Sequence, residues 1–382
     1  VEFALSAEQE LLKKELRNFL ETESPKSIVK KVESSELGYS PELWKKMADL
    51  GWLGLMLPEE YGGVGGNLVD LAVLFEEIGR AALPGPLFST VVLGVLPILD
   101  NGNEQQRKEI LPRVARGEAI LTMALTEPEA DYQPRFLSTK AARNPKGFAI
   151  SGTKLFVQNA HIANYMLVVA RTGRVKADGE GITVFIIAGK SRGLNLVPLK
   201  TIASDKQFEV GFRRVGCSAD DVLGTVDQGW RVVDSTLRKA TAIQCVQMVG
   251  VAQKALEMTA SYAASRCQFE RPIGSFQAVQ HRIADMMTDV EGARWTSYQA
   301  VWRLSKGLSV NRELAIAKAW TSDACQRVTS GAQHIHGGVG MDLDYDLHYY
   351  FRWSKALELN LGSAPIHKKA GEEAIIKDLL AA

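Results

Sequence analysis

Cysteine is scarce in this chain. The four present, Cys217, Cys245, Cys267 and Cys325 in 382 residues, have spacings that match no zinc or disulfide framework. That excludes a small disulfide-stapled fold; buried free thiols in a reducing compartment are expected, and no metal. Neither sign of charge dominates: 45 lysines and arginines face 44 aspartates and glutamates, so no bulk field draws in nucleic acid. A long uninterrupted apolar run is missing too. The nearest approach, the uncharged stretch 81–99, is broken by Pro84, Pro86 and Pro97 and bounded by Arg80 and Asp100, the pattern of a buried loop-and-helix segment. Glu2, Glu8 and Glu10 stand among the first apolar residues, unlike the basic flank of a signal peptide. The expectation is a cytoplasmic protein with no nucleic-acid partner and no stable membrane anchor.

What is present is an ordinary globular composition, 46% hydrophobic and 23% charged, in a chain long enough for two or three domains. Residues 1–120 read as helices: Ser6 followed by Gln9 has the form of a capping box, and Ser40 with Glu42 precedes the stripe Leu43, Met47, Leu50. The glycines between Glu59 and Gly66 interrupt the helical pattern. From 121 to 228 short β-forming segments alternate with glycine-containing turns, among them Phe148 to Gly152, Tyr165 to Ala170, Ile182 to Ile187 and Phe208 to Phe212. Long helical patterns then fill 229–382, with breaks at Pro272, at the glycines after Ser330 and near Gly362.

Several blocks carry side chains suited to a flat, phosphate-bearing ligand, although each also has a plain structural reading. Thr126-Glu127-Pro128 offers a hydroxyl and backbone donors at the entrance to the β region, or simply a turn. The stretch from Lys154 to Asn159 sets Phe156, a ring able to stack or to pack in a core, beside the amides of Gln158 and Asn159. From Arg266 to Gln277, RCQFERPIGSFQ joins a guanidinium suited to phosphate, the aromatic Phe269 and the amide of Gln277 around a Pro-Ile-Gly turn, or connects two helices. Gly337-Gly338-Val339-Gly340 permits close backbone approach without the strand-first GxGxxG order of a nicotinamide site. His334 and His336 diverge on a helix and lack a third ligand, so packing or hydrogen bonding is preferred to metal. The aromatics Tyr345, Tyr349, Tyr350, Phe351 and Trp353 suit a pocket, a subunit contact or a core.

The order of regions and these blocks together resemble the acyl-CoA dehydrogenase family, over essentially the whole chain. The resemblance implies an α+β fold with an N-terminal helical domain, a central β domain and a C-terminal four-helix domain, assembled as dimers or dimer pairs. It implies FAD, with a cofactor-binding set of Thr126, Phe156, Gln158, Arg266, Phe269, Gln277, His334, Gly337, Gly338 and Ser363. The implied substrate is an acyl-CoA thioester. A carboxylate removes the α proton while the β hydrogen leaves as hydride, and electron-transferring flavoprotein takes the electrons.

Departures from the family pattern are as informative. Asn360-Leu361-Gly362-Ser363 stands where Tyr-Glu-Gly-Thr is usual, so Leu361 occupies the base's place; the alternative place, on the first long C-terminal helix, holds Ala240-Thr241. Asp131-Tyr132-Gln133 replaces a small-residue turn, Glu270 replaces a glycine, and His334 replaces a glutamine. The His-Gly-Gly pattern with Asp346-Leu347-His348-Tyr349 looks like the branch acting on carnitine-linked and steroid side-chain CoA esters, some of whose members pair a base-bearing subunit with a degenerate one. The catalytic base is thus unassigned. A base-bearing paralogous subunit, a homo-oligomer using Glu358, and a non-catalytic dehydrogenase-like partner all stay open, with oxygen-dependent flavin chemistry a minor branch.

Overall fold

The structure, a computed structural model, describes residues 4–129, 132–176 and 179–381; Glu2 and Asp131 lie outside them. The chain opens with helices α1 (Ala7–Glu23), α2 (Lys26–Ser34), α3 (Pro41–Asp49) and α4 (Leu68–Ala81), a wide π-helical segment (Phe88–Val95), α5 (Leu96–Asn101) and α6 (Glu104–Ala115). Strands follow: β1 (Leu121–Ala124), β2 (Lys140–Asn144), β3 (Gly147–Gln158), β4 (Tyr165–Arg171), β5 (Ile182–Ala188), β6 (Leu194–Leu199), β7 (Gln207–Cys217) and β8 (Val222–Leu223). Helices then return as α7 (Gly229–Ser265), a small hairpin of β9 (Cys267–Gln268) and β10 (Arg271–Pro272), α8 (Gln277–Ser305), α9 (Asn311–His336), α10 (Leu347–Leu359) and α11 (Ala364–Ala381). This is the expected α+β order of helical region, mixed sheet and helical bundle.

Local chemistry sets the helix starts. Ser6 Oγ accepts from Gln9 N (3.3 Å) while Gln9 Oε1 accepts from Ser6 N (3.0 Å), closing the expected capping box, and Ser40 Oγ accepts from Leu43 N (3.2 Å). Asn67 and Asn103 build two more boxes with Asp70 and Gln106. Pro97 crowds the carbonyl four residues before it, and the wide turn Phe88–Val95 accommodates that.

The chain packs into two compact units, each drawn from separate stretches of sequence. One comprises 30–66 and 84–240 and contains the eight-stranded sheet, in the order β6-β7-β3-β2-β4-β5-β8 with β1 parallel to β4. Phe148, Ile150, Val168, Phe185, Val210 and Val215 form its core. The uncharged stretch 81–99 is buried from Ala82 to Ile98 except at Gly85, and its hydroxyls serve the sheet: Leu121 N donates to Thr90 Oγ1 (3.2 Å) and Asn159 Nδ2 to Ser89 Oγ (3.1 Å).

The other unit comprises 1–29, 67–83 and 241–382. Here α4 meets α7 backbone to backbone. A Cβ on Gly79 would lie 2.0 Å from the Gln247 carbonyl oxygen, and one on Gly250 would lie 1.9 Å from that of Glu76, so only glycine fits at either place. Charges bind the helices around this crossing. Glu76 takes Lys13 of α1 (3.1 Å), Arg294 and Tyr298 Oη (2.5 Å) of α8; burial raises its pKa, but these partners outweigh it and hold the carboxyl below its ordinary range. Arg80 meets Glu257 with two bonds of 2.6 Å. Helix α9 packs against α8, α10 and α11. Among the described residues, no helix is long and apolar enough to cross a membrane and no group of three or more metal-ligating side chains is assembled.

Candidate functional site

In the sheet-bearing unit, Thr126 and Phe156 are tied together by one buried ion pair. Glu127 and Lys154 are 3% and 0% exposed. Lys154 Nζ donates to Glu127 Oε1 (2.7 Å) and to the Leu125 carbonyl (3.0 Å), while Glu127 also accepts from Ser138 N (2.6 Å), Ser138 Oγ (2.5 Å) and Thr139 N (3.1 Å). Burial pushes the Lys154 ammonium down to about 8 against the pull of Glu127; the carboxyl, raised by burial, is held below its ordinary range by Lys154 and Ser138. Leu155 N donates to the Thr126 carbonyl (2.8 Å), so the turn 125–128 is bound edge-on to β3.

Phe156 follows at a bulge. Lys154 faces Val210 of β7 and Val157 faces Phe208, three steps on one strand against two on the other. The extra residue brings Phe156 to φ +56, a left-handed backbone for a bulky side chain, and the residue is 52% exposed. Strain of about 1–3 kcal/mol at an exposed aromatic marks a place where a ring is presented rather than packed. Gln158 ends the strand, its carbonyl accepting from Thr122 Oγ1 (2.5 Å).

The helical unit holds the remaining candidates on three separate turns. At the end of α7, exposed Arg266 leads into the hairpin β9–β10, where Gln268 pairs with Arg271. The two residues between them, Phe269 (φ +53) and Glu270 (φ +65), are both left-handed, the type I′ geometry that normally selects glycine or asparagine. Phe269 is 86% exposed and meets Phe276 edge-on at 6.2 Å, and Arg271 lies over Phe276 at 4.1 Å. Gln277 opens α8, whose N-terminus no side chain caps. Thus Arg266, Phe269 and Gln277 share one short exposed connection. Glu270→Gly is expected to raise stability by up to about 1 kcal/mol, since the left-handed penalty disappears; a lower urea midpoint in this variant would contradict the strain.

The second turn ends α9. His334 is exposed on a groove of about 570 Å³ with His281, Arg282, Asp285 and Arg327, whereas His336 is buried, its Nδ1 against the Ala332 carbonyl (2.8 Å) and its ring stacked on Tyr262 at 4.3 Å. Burial lowers the His336 pKa against its bond to Ala332. The divergence of the two histidines agrees with the helical spacing. Gly337 (φ 63, ψ −139) adopts a backbone open to glycine alone. A Cβ on Gly337 or Gly338 would meet nothing within 4 Å. Close by, Gln333 has both amide atoms buried and unpaired.

The third turn joins α10 to α11. Leu361 is buried at φ +58, its carbonyl held by His367 Nε2 (2.9 Å), and the Ser363 carbonyl accepts from Ile366 N (3.1 Å) as α11 begins. Glu358, the carboxylate nearest this turn in sequence, is paired with Lys355 at 2.5 Å.

These surfaces suit FAD. Two exposed aromatics, Phe156 and Phe269, are held in left-handed backbone, an exposed guanidinium precedes an uncapped helix N-terminus, and Gly337-Gly338 leaves open backbone beside the orphaned amide of Gln333. Sequence reasoning found the blocks but missed the pairing of Glu127 with Lys154. In the linear sequence only Lys154 lies in a strand-forming run, while Glu127 sits in a Thr-Glu-Pro turn, so nothing joins the two.

Comparison with known proteins gives the same family over the whole length. Residues 6–118 match the acyl-CoA dehydrogenase N-terminal domain, 122–215 the middle domain and 227–376 the C-terminal domain. The chain is 33% identical to acyl-CoA dehydrogenase FadE27 of Mycobacterium tuberculosis over 345 residues, 88% of each protein. Among solved structures it resembles the Tcur3481-Tcur3483 steroid ACAD (TM-score 0.88, 32% identity, 98% of this chain and 99% of that one). It also resembles the ChsE4-ChsE5 complex of Mycobacterium tuberculosis (TM-score 0.89, 28% identity, all of both chains). The chain therefore belongs to the acyl-CoA dehydrogenase family, with FAD as its cofactor and acyl-CoA dehydrogenation as its general activity.

Proposed function

We propose that this chain is the base-lacking subunit of a heteromeric acyl-CoA dehydrogenase, paired with a paralogue that carries the catalytic carboxylate and acting on a bulky CoA ester of the steroid side-chain or carnitine-linked kind. One observation carries the reading: the turn between α10 and α11, where the family pattern calls for glutamate, holds Leu361, buried at φ +58. Leucine accepts no proton. Glu358 is a poor substitute because its carboxylate is occupied by Lys355. The likeness to steroid-active and two-component relatives supports the same reading.

In this proposal Thr126, Phe156 and Gln158 would hold the isoalloxazine end, Phe156 supplying the aromatic face. Arg266, Phe269 and Gln277 would hold the diphosphate and adenosine end of FAD belonging to a neighbouring subunit, and His334, Gly337, Gly338 and Ser363 are the further cofactor contacts proposed. FAD held there would supply the two-electron oxidising power for α,β-dehydrogenation. The protein's part is to orient the thioester, exclude water and place a carboxylate at the α carbon, and the last of these falls to the partner. Electron-transferring flavoprotein is the proposed acceptor, the cytoplasm the proposed compartment, and 120 and 228 the proposed domain limits.

The test is anaerobic mixing of acyl-CoA esters, fatty, aromatic and steroidal, with the chain alone and with the natively purified assembly, following flavin absorbance and subunit composition. The expected result is stoichiometric flavin with fast bleaching only in a two-component assembly. Fast bleaching by the chain alone would overturn the missing-base reading, and absence of flavin from both preparations would leave a non-catalytic partner.

A further inference from the structure

Lysine is almost never fully buried unless paired, yet Lys318 of α9 is 0% exposed at the heart of the helical unit. Its ammonium has three short partners: the Leu357 carbonyl at 2.7 Å, Gln244 Oε1 of α7 at 3.1 Å and the Glu358 carbonyl at 3.4 Å. Leu357 and Glu358 belong to the last turn of α10, where carbonyls have no helical donor. The preceding carbonyl, of Ala356, is taken by Asn360 N at 3.1 Å. Just beyond, Leu361 (φ +58) and Gly362 (φ +94) reverse the chain, and His367 Nε2 and the first amides of α11 take the Leu361 and Ser363 carbonyls. Entry to the turn is therefore fixed from α9 and exit from α11.

We propose that Lys318 is a positioning residue: its ammonium closes the end of α10 and so sets the path of residues 360–363, the turn that carries Leu361 and the cofactor candidate Ser363. The inference rests on the functional reading above for what the turn faces, but not for the contact itself. A purely apolar core would favour methionine here, since replacing a buried charge by an apolar side chain is often neutral or stabilising; the lysine is explained by the carbonyls it satisfies. Burial pushes its pKa down to about 8. The groups around it are Gln244, Cys245 and Met248 on α7, Cys325 on α9, Glu358 on α10 and His367 on α11; both thiols are pushed up to about 12 by burial and stay neutral through the window. Above pH 8 the amine keeps two hydrogens for three acceptors, so the turn loosens. Global stability moves the opposite way: the unfolded lysine binds more protons between about 8 and 10.5, so unfolding becomes harder as pH rises.

Lys318→Met in the full chain tests this by hydrogen exchange. Amides of 360–367 are expected to exchange about tenfold faster, one hydrogen bond's worth, while the global urea midpoint holds or rises and FAD affinity falls by a similar factor. If exchange across 360–367 is unchanged, or rises only in step with the rest of α9 to α11, Lys318 is a core residue and the proposal fails. Should the variant not fold, the wild-type protein supplies the answer: protection of 360–367, corrected for intrinsic rate, falls from pH 7 to 9.5 if Lys318 holds the turn, and a flat profile overturns it. Exchange needs no flavin. Failure of the functional reading would instead appear as wild-type protein that takes up no FAD.

Discussion

Glu127→Ala is expected to cost about 3–5 kcal/mol, the largest loss at any single site discussed, because it strands a buried charge. Lys154 would keep only the Leu125 carbonyl, and the donors of Ser138 and Thr139 would lose their acceptor together. The pH dependence identifies the cause. In the native protein Lys154 already sits near 8; without its carboxylate it falls further, and the variant folds with a neutral amine. An unfolded lysine with its ordinary pKa near 10.5 binds more protons than that folded amine, so the variant gains stability steadily as pH rises. Its deficit should be greatest near pH 6, shrink up to about pH 8 and level off above it, where the wild-type Lys154 is neutral as well. Guanidinium unfolding at three pH values measures it, and a loss below about 1 kcal/mol at every pH would remove the pair from its structural role. Because Leu155 and Thr126 are bound through the same turn, flavin affinity should fall even where the variant remains folded.

Leu361→Glu is the second, and it adds an activity. A carboxylate at this buried, left-handed position would rest on a backbone already held by His367, and burial would raise its pKa toward neutrality, as a general base requires. General bases contribute roughly 10²–10⁴ in rate. The flavin-loaded homomeric variant is therefore expected to bleach with a suitable acyl-CoA at least about 100-fold faster than the parent chain. A variant that binds FAD and acyl-CoA yet stays inert would show that the α carbon does not arrive at this turn.

Much of this was legible in the sequence, for identifiable reasons. Strands β4 and β5 are buried along nearly their whole length, so they appear as plain apolar runs. Strand β6 lies at the sheet edge and carries Pro198, which argues against a strand, while β2 is mostly exposed and polar and gives no hydrophobic signal. The serine caps at Ser6 and Ser40 are legible in the sequence, whereas Asn67 and Asn103 stand beside glycines, where asparagine reads equally well as a turn residue. The Phe269-Glu270 turn was visible as a block but not as strain, because its geometry defies the residues it uses. Lys318 and Glu127 illustrate the wider limit: a buried charge is indistinguishable from a solvated one until its partners, 11 to 74 residues away, are placed.

The division of each compact unit among distant stretches of chain bears on how the protein is made. At about 5–20 residues per second, a ribosome needs roughly 20–70 s after releasing α1 to supply the rest of its unit, which runs on past residue 241. The sheet-bearing unit is complete in sequence by residue 240 and so can consolidate first. Until then α1 and α4, whose apolar faces await α7 and α8, have only each other, joined by the pairs Lys13–Glu76 and Arg17–Glu77. That interval is when a nascent chain is most exposed to aggregation, and slowing translation within 84–240 should lower soluble yield more than slowing it after 300.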